Sequence, residues 1–279
     1  MAVVVSCAIS TGRLPPATVA QSSPAVGLDH IPVAVRDLAR ATSTYRALGF
    51  TLKPGRGHDD GIRNAHVKFP NGAGIELLTA PKAVDALSAR YVEYLRAGEG
   101  PAFVSFHARD TERLHRVLRA GGYDFRQEGE TTELLSRKFG FLFIVRDNRS
   151  PTDRPEHFVH ANGATALQAV WIATPDSAAL TRLLVALGGT QKRQRVLAPF
   201  VVDATVVTLD EGDVVILPEQ RQILAGRPVI GAKFHVADLQ RVRRTLAAAG
   251  IEPWTDAGSN ERIVVDPSRT HGLWLEFSQ

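Results

Sequence analysis

Cysteine is almost absent from this chain of 279 residues, in which Cys7 is the single one. A lone cysteine can form neither a disulfide within the chain nor a zinc site built on cysteines. The fold must therefore be held together by its apolar core. Hydrophobic residues make up 44% of the chain, which is the composition of a globular protein with a substantial core.

Long apolar runs and aromatic side chains are also scarce. No segment approaches the roughly 20 apolar residues that a membrane-spanning helix needs. Aromatic residues make up 7% of the chain, and its arginines alternate with acids, as in RDTERLHRVLR at residues 109–119. A nucleic-acid groove would combine a basic stripe with exposed aromatic residues. Despite the formal net charge of +4, we therefore expect no nucleic-acid partner and no membrane span.

The first 26 residues carry one charge, Arg13, and are rich in Ala, Val, Ser, Thr and Pro. They lack the basic start and the longer apolar core of a signal peptide. We expect residues 1–26 to be a disordered or processed tail and the protein to be cytoplasmic. If a signal has been lost upstream, the alternatives are the periplasm or a lipid anchor.

The chain does contain a fourfold repeat. At four places an Asp follows a strand-like run, and a Gly stands twelve residues later: Asp37 and Gly49, Asp110 and Gly122, Asp176 and Gly188, Asp238 and Gly250. The Asp can cap the start of a helix, and the Gly can end it in a left-handed conformation. The apolar residues in between are three or four positions apart, as one buried helix face requires. The repeat predicts four helices.

Each predicted helix is followed by about three short strand candidates, separated by turn residues. The chain thus reads as four βαβββ units, an α+β fold class. We predict two domains of two units each, over residues 27–150 and 165–279. A segment rich in Pro and polar residues, 151–164, is the predicted linker.

Paired βαβββ units resemble the vicinal oxygen chelate superfamily, which includes glyoxalase I, extradiol dioxygenases and fosfomycin-resistance proteins. The matching stretches are LDHIPVAVRDLARATSTYRALGF, GIRNAHVKFPNGAGIELL, HANGATALQAVWIA and RIVVDPSRTHGLWLEF, spread over residues 28–277. The resemblance implies two domains of the glyoxalase/bleomycin-resistance type. It says less about the reaction, because one fold hosts many activities.

The resemblance also implies metal ligands on the first and last strands of each unit. Here it points to His30 and Glu76 as ligands of a divalent Fe, Mn, Zn or Ni ion, with Glu76 also catalytic. We expect their polar atoms to lie roughly 3 to 5 Å apart in one cleft. The other positions are Phe103, Ile144, Ala169, Val215, Gly231 and Glu276. Only Glu276 among these has a metal-binding side chain. The alternative to a metal site is a cleft without metal, in which His30 and Glu76 bind a polar ligand.

Other polar residues are candidates for the same cleft. Four residues are expected as substrate contacts, namely Arg63, Asn64, His66 and His107, although strand alternation puts Asn64 and His66 on one face and Arg63 on the other. His157 and His160 lie where the segment between the domains could fold over the cleft, so the third ligand would be His107, His157, His160 or water. Glu76 stands between apolar residues and needs a partner, because burying an unpaired carboxylate is costly.

Two functions agree best with this sequence, and a third possibility is a degenerate structural or regulatory protein, because the family positions of the second domain are mostly apolar. The first is a metal-dependent lyase, isomerase or dioxygenase that acts on a small oxygenated molecule in the first domain. The second is a binding protein of the same fold that sequesters a small molecule without reaction. In both cases the expected partner is a small-molecule ligand, and the expected assembly is a monomer or a homodimer.

Overall fold

The computed structural model describes residues 24, 26–55, 57, 59–147, 149–196, 199–254 and 261–279. The protein is α+β, as predicted. Within these residues there are five α-helices: α1 Leu38–Ala47, α2 Ala86–Ala97, α3 Thr111–Ala120, α4 Ser177–Ala186 and α5 Leu239–Ala248. None of them is long and apolar enough to cross a bilayer.

Seventeen strands in the described residues form three sheets. In spatial order, sheet I contains β3 Lys53–Pro54, β4 Arg63–Lys68, β5 Gly74–Thr79, β2 His30–Ala34 and β6 Gly100–Pro101. Sheet II contains β1 Val26–Leu28, β7 Val104–Ala108, β10 Leu142–Val145, β9 Thr131–Leu134 and β8 Phe125–Glu128. Sheet III contains β12 Thr190–Val196, β13 Val202–Thr208, β14 Asp213–Pro218, β11 Ala164–Thr174, β15 Val229–Val236, β17 Trp274–Ser278 and β16 Arg262–Val265.

The four predicted helices are confirmed as α1, α3, α4 and α5. In each, the side chain of the predicted Asp accepts a hydrogen bond from a backbone N–H of the first turn. The four glycines of the repeat have φ between 65° and 101°, a conformation that a side chain would resist. The full βαβββ order occurs around the first three of these helices. Around α5, the described residues show an isolated bridge at Trp254 in place of one strand.

Two features depart from the predicted βαβββ units. Two strands precede the first helix, because the chain breaks at Asp29 and contributes β1 to sheet II and β2 to sheet I. The backbone N–H of Asp29 donates to the carbonyl of Ser105 in β7, which holds the two sheets together at the break. The second departure is α2, an additional helix between the first two units.

The main hydrophobic core joins the two halves of the chain. It includes the buried faces of α1, α3, α4 and α5 and the strands beneath them. At its centre, the Phe50 ring lies 5.1 Å from Phe234 and 5.9 Å from Phe277, between ring centroids. The predicted domain boundaries therefore stay a prediction. The predicted tail lies outside the described residues except for Pro24 and Val26, and Val26 already belongs to β1.

Candidate active site

A cavity of about 880 Å³ lies against one face of sheet I. The opposite face of that sheet packs on α1 through residues such as Ile31 and Leu77. The side chains that alternate with these, His30 and Glu76 among them, line the cavity. The segment that follows β10, with Arg149 among its residues, forms another wall. The volume suits a small-molecule ligand.

His30 begins β2 directly after the break at Asp29. Its Nδ1 lies 2.8 Å from Oδ2 of Asp29, and the hydroxyl of Ser105 donates to the same oxygen at 2.8 Å. Asp29 is buried, with 4% of its surface exposed, whereas the side chain of His30 is 25% exposed toward the cavity. The Asp29 carboxylate therefore fixes the orientation of the imidazole and leaves Nε2 facing the cavity.

Glu76, on β5, faces that Nε2. Its Oε2 lies 3.3 Å from His30 Nε2, and its Oε1 accepts a hydrogen bond from the Asn64 amide at 2.5 Å. Burial alone would lower the pKa of His30, but Asp29 and Glu76 together raise it to about 10. Burial alone would raise the pKa of Glu76, but His30, His66 and Asn64 lower it to about 2. At neutral pH, an imidazolium thus lies between two carboxylates.

His66 lies beside this pair on β4, directly opposite Glu76 in the β4–β5 register. Burial lowers its pKa to about 4, so its imidazole is neutral at pH 7. The ring lines the cavity, and within the described residues it makes no hydrogen bond. The cavity therefore contains a neutral imidazole next to a charged one.

Lys53 continues the same row of residues. It lies opposite His66 in the β3–β4 register, so Lys53, His66 and Glu76 are neighbours on three adjacent strands. Lys53 Nζ lies 2.5 Å from Oδ1 of Asp153, and Lys68 Nζ lies 3.6 Å from Oδ2 of the same carboxylate. Two ammonium groups thus share one carboxylate at this end of the cavity.

The predicted site residues separate into two groups. Asn64, His66 and His157 line the cavity with His30 and Glu76. Arg63, His107 and His160 do not. Their predicted places in the cleft need correction.

Arg63, His107 and His160 lie outside the cavity for different physical reasons. Arg63 is exposed, because strand alternation turns it away from Asn64 and His66. His107 faces the same way as Phe103, but its side chain is buried where β1 pairs with β7. It lies so close to Gly27 of β1 that a β-carbon there would be 2.4 Å from its Nε2. His160 is buried between Thr51 and Lys68, where its ring nitrogens hydrogen-bond the Thr51 N–H and the Lys68 carbonyl.

Three groups of this site were missed by the sequence analysis: Lys53, Lys68 and Asp153. They come from β3, β4 and the segment between the halves, and Lys53 and Asp153, whose charged atoms lie 2.5 Å apart, are separated by 100 residues in sequence. No local pattern brings them together. Asp29 could have been identified from the sequence, because it is adjacent to His30 in the chain.

The equivalent positions of the second unit are aromatic. β5 pairs with β2 so that Glu76 lies opposite Pro32, two residues after His30. The same register in sheet II places Phe143 opposite Ser105, two residues after Phe103. The last-strand position is therefore Phe143, and the predicted Ile144 lies on the core side. The Phe143 ring contacts the His30 ring edge-on, with centroids 5.8 Å apart.

The corresponding cleft of sheet III has a volume of about 370 Å³, and the Trp171 indole is part of its lining. The Trp171 ring lies so close to Gly231 that a β-carbon there would be 2.4 Å from it. Glu276 is buried, and its nearest cation is Lys233, 4.0 Å away. Burial raises the pKa of Glu276. The residues that line this cleft include three acids, Asp213, Glu261 and Glu276, but no imidazole.

The donors present do not fit the four-ligand metal site that the resemblance implies. The 3.3 Å between His30 Nε2 and Glu76 Oε2 would suit two neighbouring ligands with bonds near 2.1 Å. However, Phe103 and Phe143 occupy the other two positions. In the described part of the chain, no group of three or more His, Cys, Asp or Glu residues is arranged to hold a metal ion. Metal binding by His30 and Glu76 alone stays a prediction.

Solved structures share this fold at low sequence identity. A hypothetical protein from Staphylococcus aureus is 12% identical, with a TM-score of 0.59, and the match covers 91% of this chain and 99% of that one. A 4-hydroxymandelate synthase variant from Streptomyces coelicolor is 15% identical, with a TM-score of 0.63 and coverage of 90% and 91%. A homoprotocatechuate 2,3-dioxygenase variant from B. fuscum is 12% identical, with a TM-score of 0.62 and coverage of 93% and 73%. None of the curated proteins matches the sequence.

The paired sheets around a cleft and these neighbours define a protein of the vicinal oxygen chelate fold. A family model described as a glyoxalase-like domain matches residues 28–188, more than half of the chain. The chain therefore belongs to the glyoxalase-like domain family.

Proposed function

We propose that this protein is an enzyme that moves a proton at a carbon next to an oxygen function of a small molecule, as an isomerase or a lyase does. The observation that carries the proposal is the pair of histidines in the cavity. His30 is charged and held by carboxylates, and His66 is neutral and has an accessible ring. Two like groups with pKa values pushed apart are the usual basis of acid and base roles.

His30 supplies positive charge where negative charge develops. Its Nε2–H faces the cavity and is 3.3 Å from Glu76, a long contact that a substrate oxygen can replace. When a proton leaves the adjacent carbon, charge accumulates on that oxygen, and a preorganised donor stabilises it. Asp29 and Glu76 keep the imidazole protonated and oriented for this role.

His66 accepts the proton. A neutral imidazole can take a proton from carbon, and Glu76 opposite it stabilises the resulting charge. An isomerase returns that proton to a neighbouring carbon. A lyase instead uses the electron pair of the broken C–H bond to expel a leaving group, and the proton passes to that group or to water.

Deuterium exchange in D₂O, followed by proton NMR, tests this function without a known substrate. The panel contains small ketones, 2-oxo acids and 2-hydroxy acids. We expect at least one compound to exchange its carbon-bound proton faster than in buffer. His66→Gln should reduce that rate by about 10² or more, the usual contribution of a general base. His235→Gln, on β15 in sheet III, is the matched control and should have no effect.

A binding protein without catalysis is the alternative. It would bind a compound of the panel without exchanging its protons. An exchange rate that His66→Gln leaves unchanged would contradict the assigned roles.

A further inference from the structure

Sheet III has two apolar faces. One face packs on α4 and α5 in the main core, through residues such as Val170. The side chains that alternate with these form a second apolar cluster, which includes Trp171, Val206 and Val215. The same three residues line the cleft of about 370 Å³. The cleft therefore offers an apolar surface to a bound molecule.

A buried carboxyl group lies within this apolar surface. Glu276 on β17 is 5% exposed and lines the cleft. Lys233, opposite it in the β15–β17 register, keeps its Nζ 4.0 Å from Oε1 of Glu276, beyond hydrogen-bonding range. Burial raises the pKa of Glu276, and the charges of Lys233 and Arg262 oppose that rise only in part. Among the described residues, the carboxyl group thus has nearby charges but no hydrogen bond.

A second polar group of the cleft also lacks a hydrogen bond. Ser278 follows Glu276 by two positions on β17, so both side chains are on the same face of the strand and line the same cleft. The Oγ of Ser278 is buried and has no hydrogen-bond partner in the part of the chain that the structure describes. Buried polar groups without partners are costly, and a bound molecule that pairs with both would remove that cost.

The charges around the cleft favour an uncharged ligand. Its lining contains as many bases as acids, namely Arg195, Lys233 and Arg262 with Asp213, Glu261 and Glu276. An ammonium group beside Glu276 would meet the charge of Lys233, and a carboxylate there would lie beside another carboxyl group. A hydroxyl group avoids both conflicts. It can donate and accept, so it matches the carboxyl group of Glu276 in either protonation state.

We infer that sheet III carries a second binding site, which takes a small uncharged alcohol. The hydroxyl group of this ligand bonds Glu276 and Ser278, and its apolar body lies on Trp171 and Val215. The cleft has less than half the volume of the 880 Å³ cavity on sheet I, so its ligand is the more compact of the two. The inference goes beyond the proposed function and does not rest on it, because it uses a different cleft and different residues.

Saturation-transfer difference NMR with three matched probes tests the ligand class. Cyclohexanol is uncharged, whereas cyclohexanecarboxylate and cyclohexylammonium carry a negative and a positive charge on the same ring. We expect cyclohexanol to bind at least threefold more tightly than either charged probe, because each charged group would be buried beside a group of like charge or against an unpaired carboxyl group.

Variants locate the bound probe. Glu276→Leu and Ser278→Ala should each weaken cyclohexanol binding by about threefold to tenfold, the usual contribution of one hydrogen bond. Glu276→Gln keeps a donor and an acceptor and should bind cyclohexanol about as well as the wild type. Ser177→Ala, at the exposed start of α4, is the matched control and should also bind like the wild type. Circular dichroism and thermal melts verify that each variant is folded.

The ligand class and the site can fail separately. Equal or tighter binding of either charged probe would overturn the uncharged ligand. Cyclohexanol binding that both Glu276→Leu and Ser278→Ala leave unchanged, or no binding at millimolar concentration, would overturn the site. Deuterium exchange by the cavity on sheet I is measured independently, so a failure of the proposed catalysis would leave this result unaffected.

Discussion

At the scale of single residues, a partly exposed histidine lies between two carboxylates in the cavity. The sequence pointed to His30 and Glu76, and the structure places them 3.3 Å apart. The sequence could not show which polar groups contact one another. Asp29 is next to His30 in the chain, yet it bonds His30 only because the strand breaks there and turns its carboxylate toward Ser105.

The His30 ion pairs should make stability depend on pH. The pKa of His30 is raised from 6.5 to about 10, so its contribution is complete below pH 6.5 and is lost as the pH rises through 10. Between pH 6.5 and 9 the free energy of unfolding should fall by roughly 2–3 kcal/mol. Urea titrations at several pH values measure this slope. His30→Gln should lose it, and an equal slope in that variant would assign the effect to other groups.

Below neutral pH, the stability of the protein should change with pH in the opposite direction. The pKa of Glu76 is lowered from 4.5 to about 2, so its contribution is present above pH 4.5 and is lost as the pH falls toward 2. Glu276, at the equivalent position of sheet III, has a raised pKa. Glu76→Gln should therefore destabilise the protein by about 2 kcal/mol at pH 7, whereas Glu276→Gln should be neutral or stabilising. The same loss in both variants, measured by urea unfolding, would contradict this difference.

At the scale of elements, the helix caps were predictable and the additional helix was not. The four repeated helices have Asp and Gly at a fixed spacing, and capping is a local interaction that a sequence shows directly. In α2, Asp85 caps the start and Gly98 follows the end, one residue beyond the repeat spacing. Its Tyr91 and Leu95 pack with Phe103 in a separate hydrophobic cluster. That tertiary role has no counterpart in the repeat.

Gly231 on β15 leaves room for the ring of Trp171 on the neighbouring strand β11. In Gly231→Ala, the new β-carbon would lie 2.4 Å from the ring of Trp171, which stands directly opposite Gly231 in the β11–β15 pairing. We expect a loss of about 2 kcal/mol or more, because an overpacked core must shift strands or adopt strained rotamers. Thermal or urea unfolding measures the loss, and tryptophan fluorescence should change with it. Gly226→Ala, where no atom lies within 4 Å but φ is 75°, is a control for backbone strain alone.

At the scale of the whole molecule, the sequence predicted repeated units but not how they share a core. Phe50 belongs to the first unit, yet it packs on Phe234 and Phe277 of the fourth unit. The His271 ring links Glu99 and Thr44 in the same way, across more than 170 residues of sequence. Such contacts depend on the arrangement of the units. Periodicity within a unit carries no information about it.

A shared core should make both halves unfold together. All three tryptophans, Trp171, Trp254 and Trp274, lie in the C-terminal half, so their fluorescence reports on that half alone. Phe103 lies in the N-terminal half, in a cluster made only of residues from that half. Phe103→Ala should remove about 3–5 kcal/mol of stability. If the halves unfold as one unit, it should lower the urea midpoint of tryptophan fluorescence as much as that of circular dichroism. A fluorescence midpoint that stays at the wild-type value, while the circular dichroism transition splits into two, would show instead that the halves are independent domains.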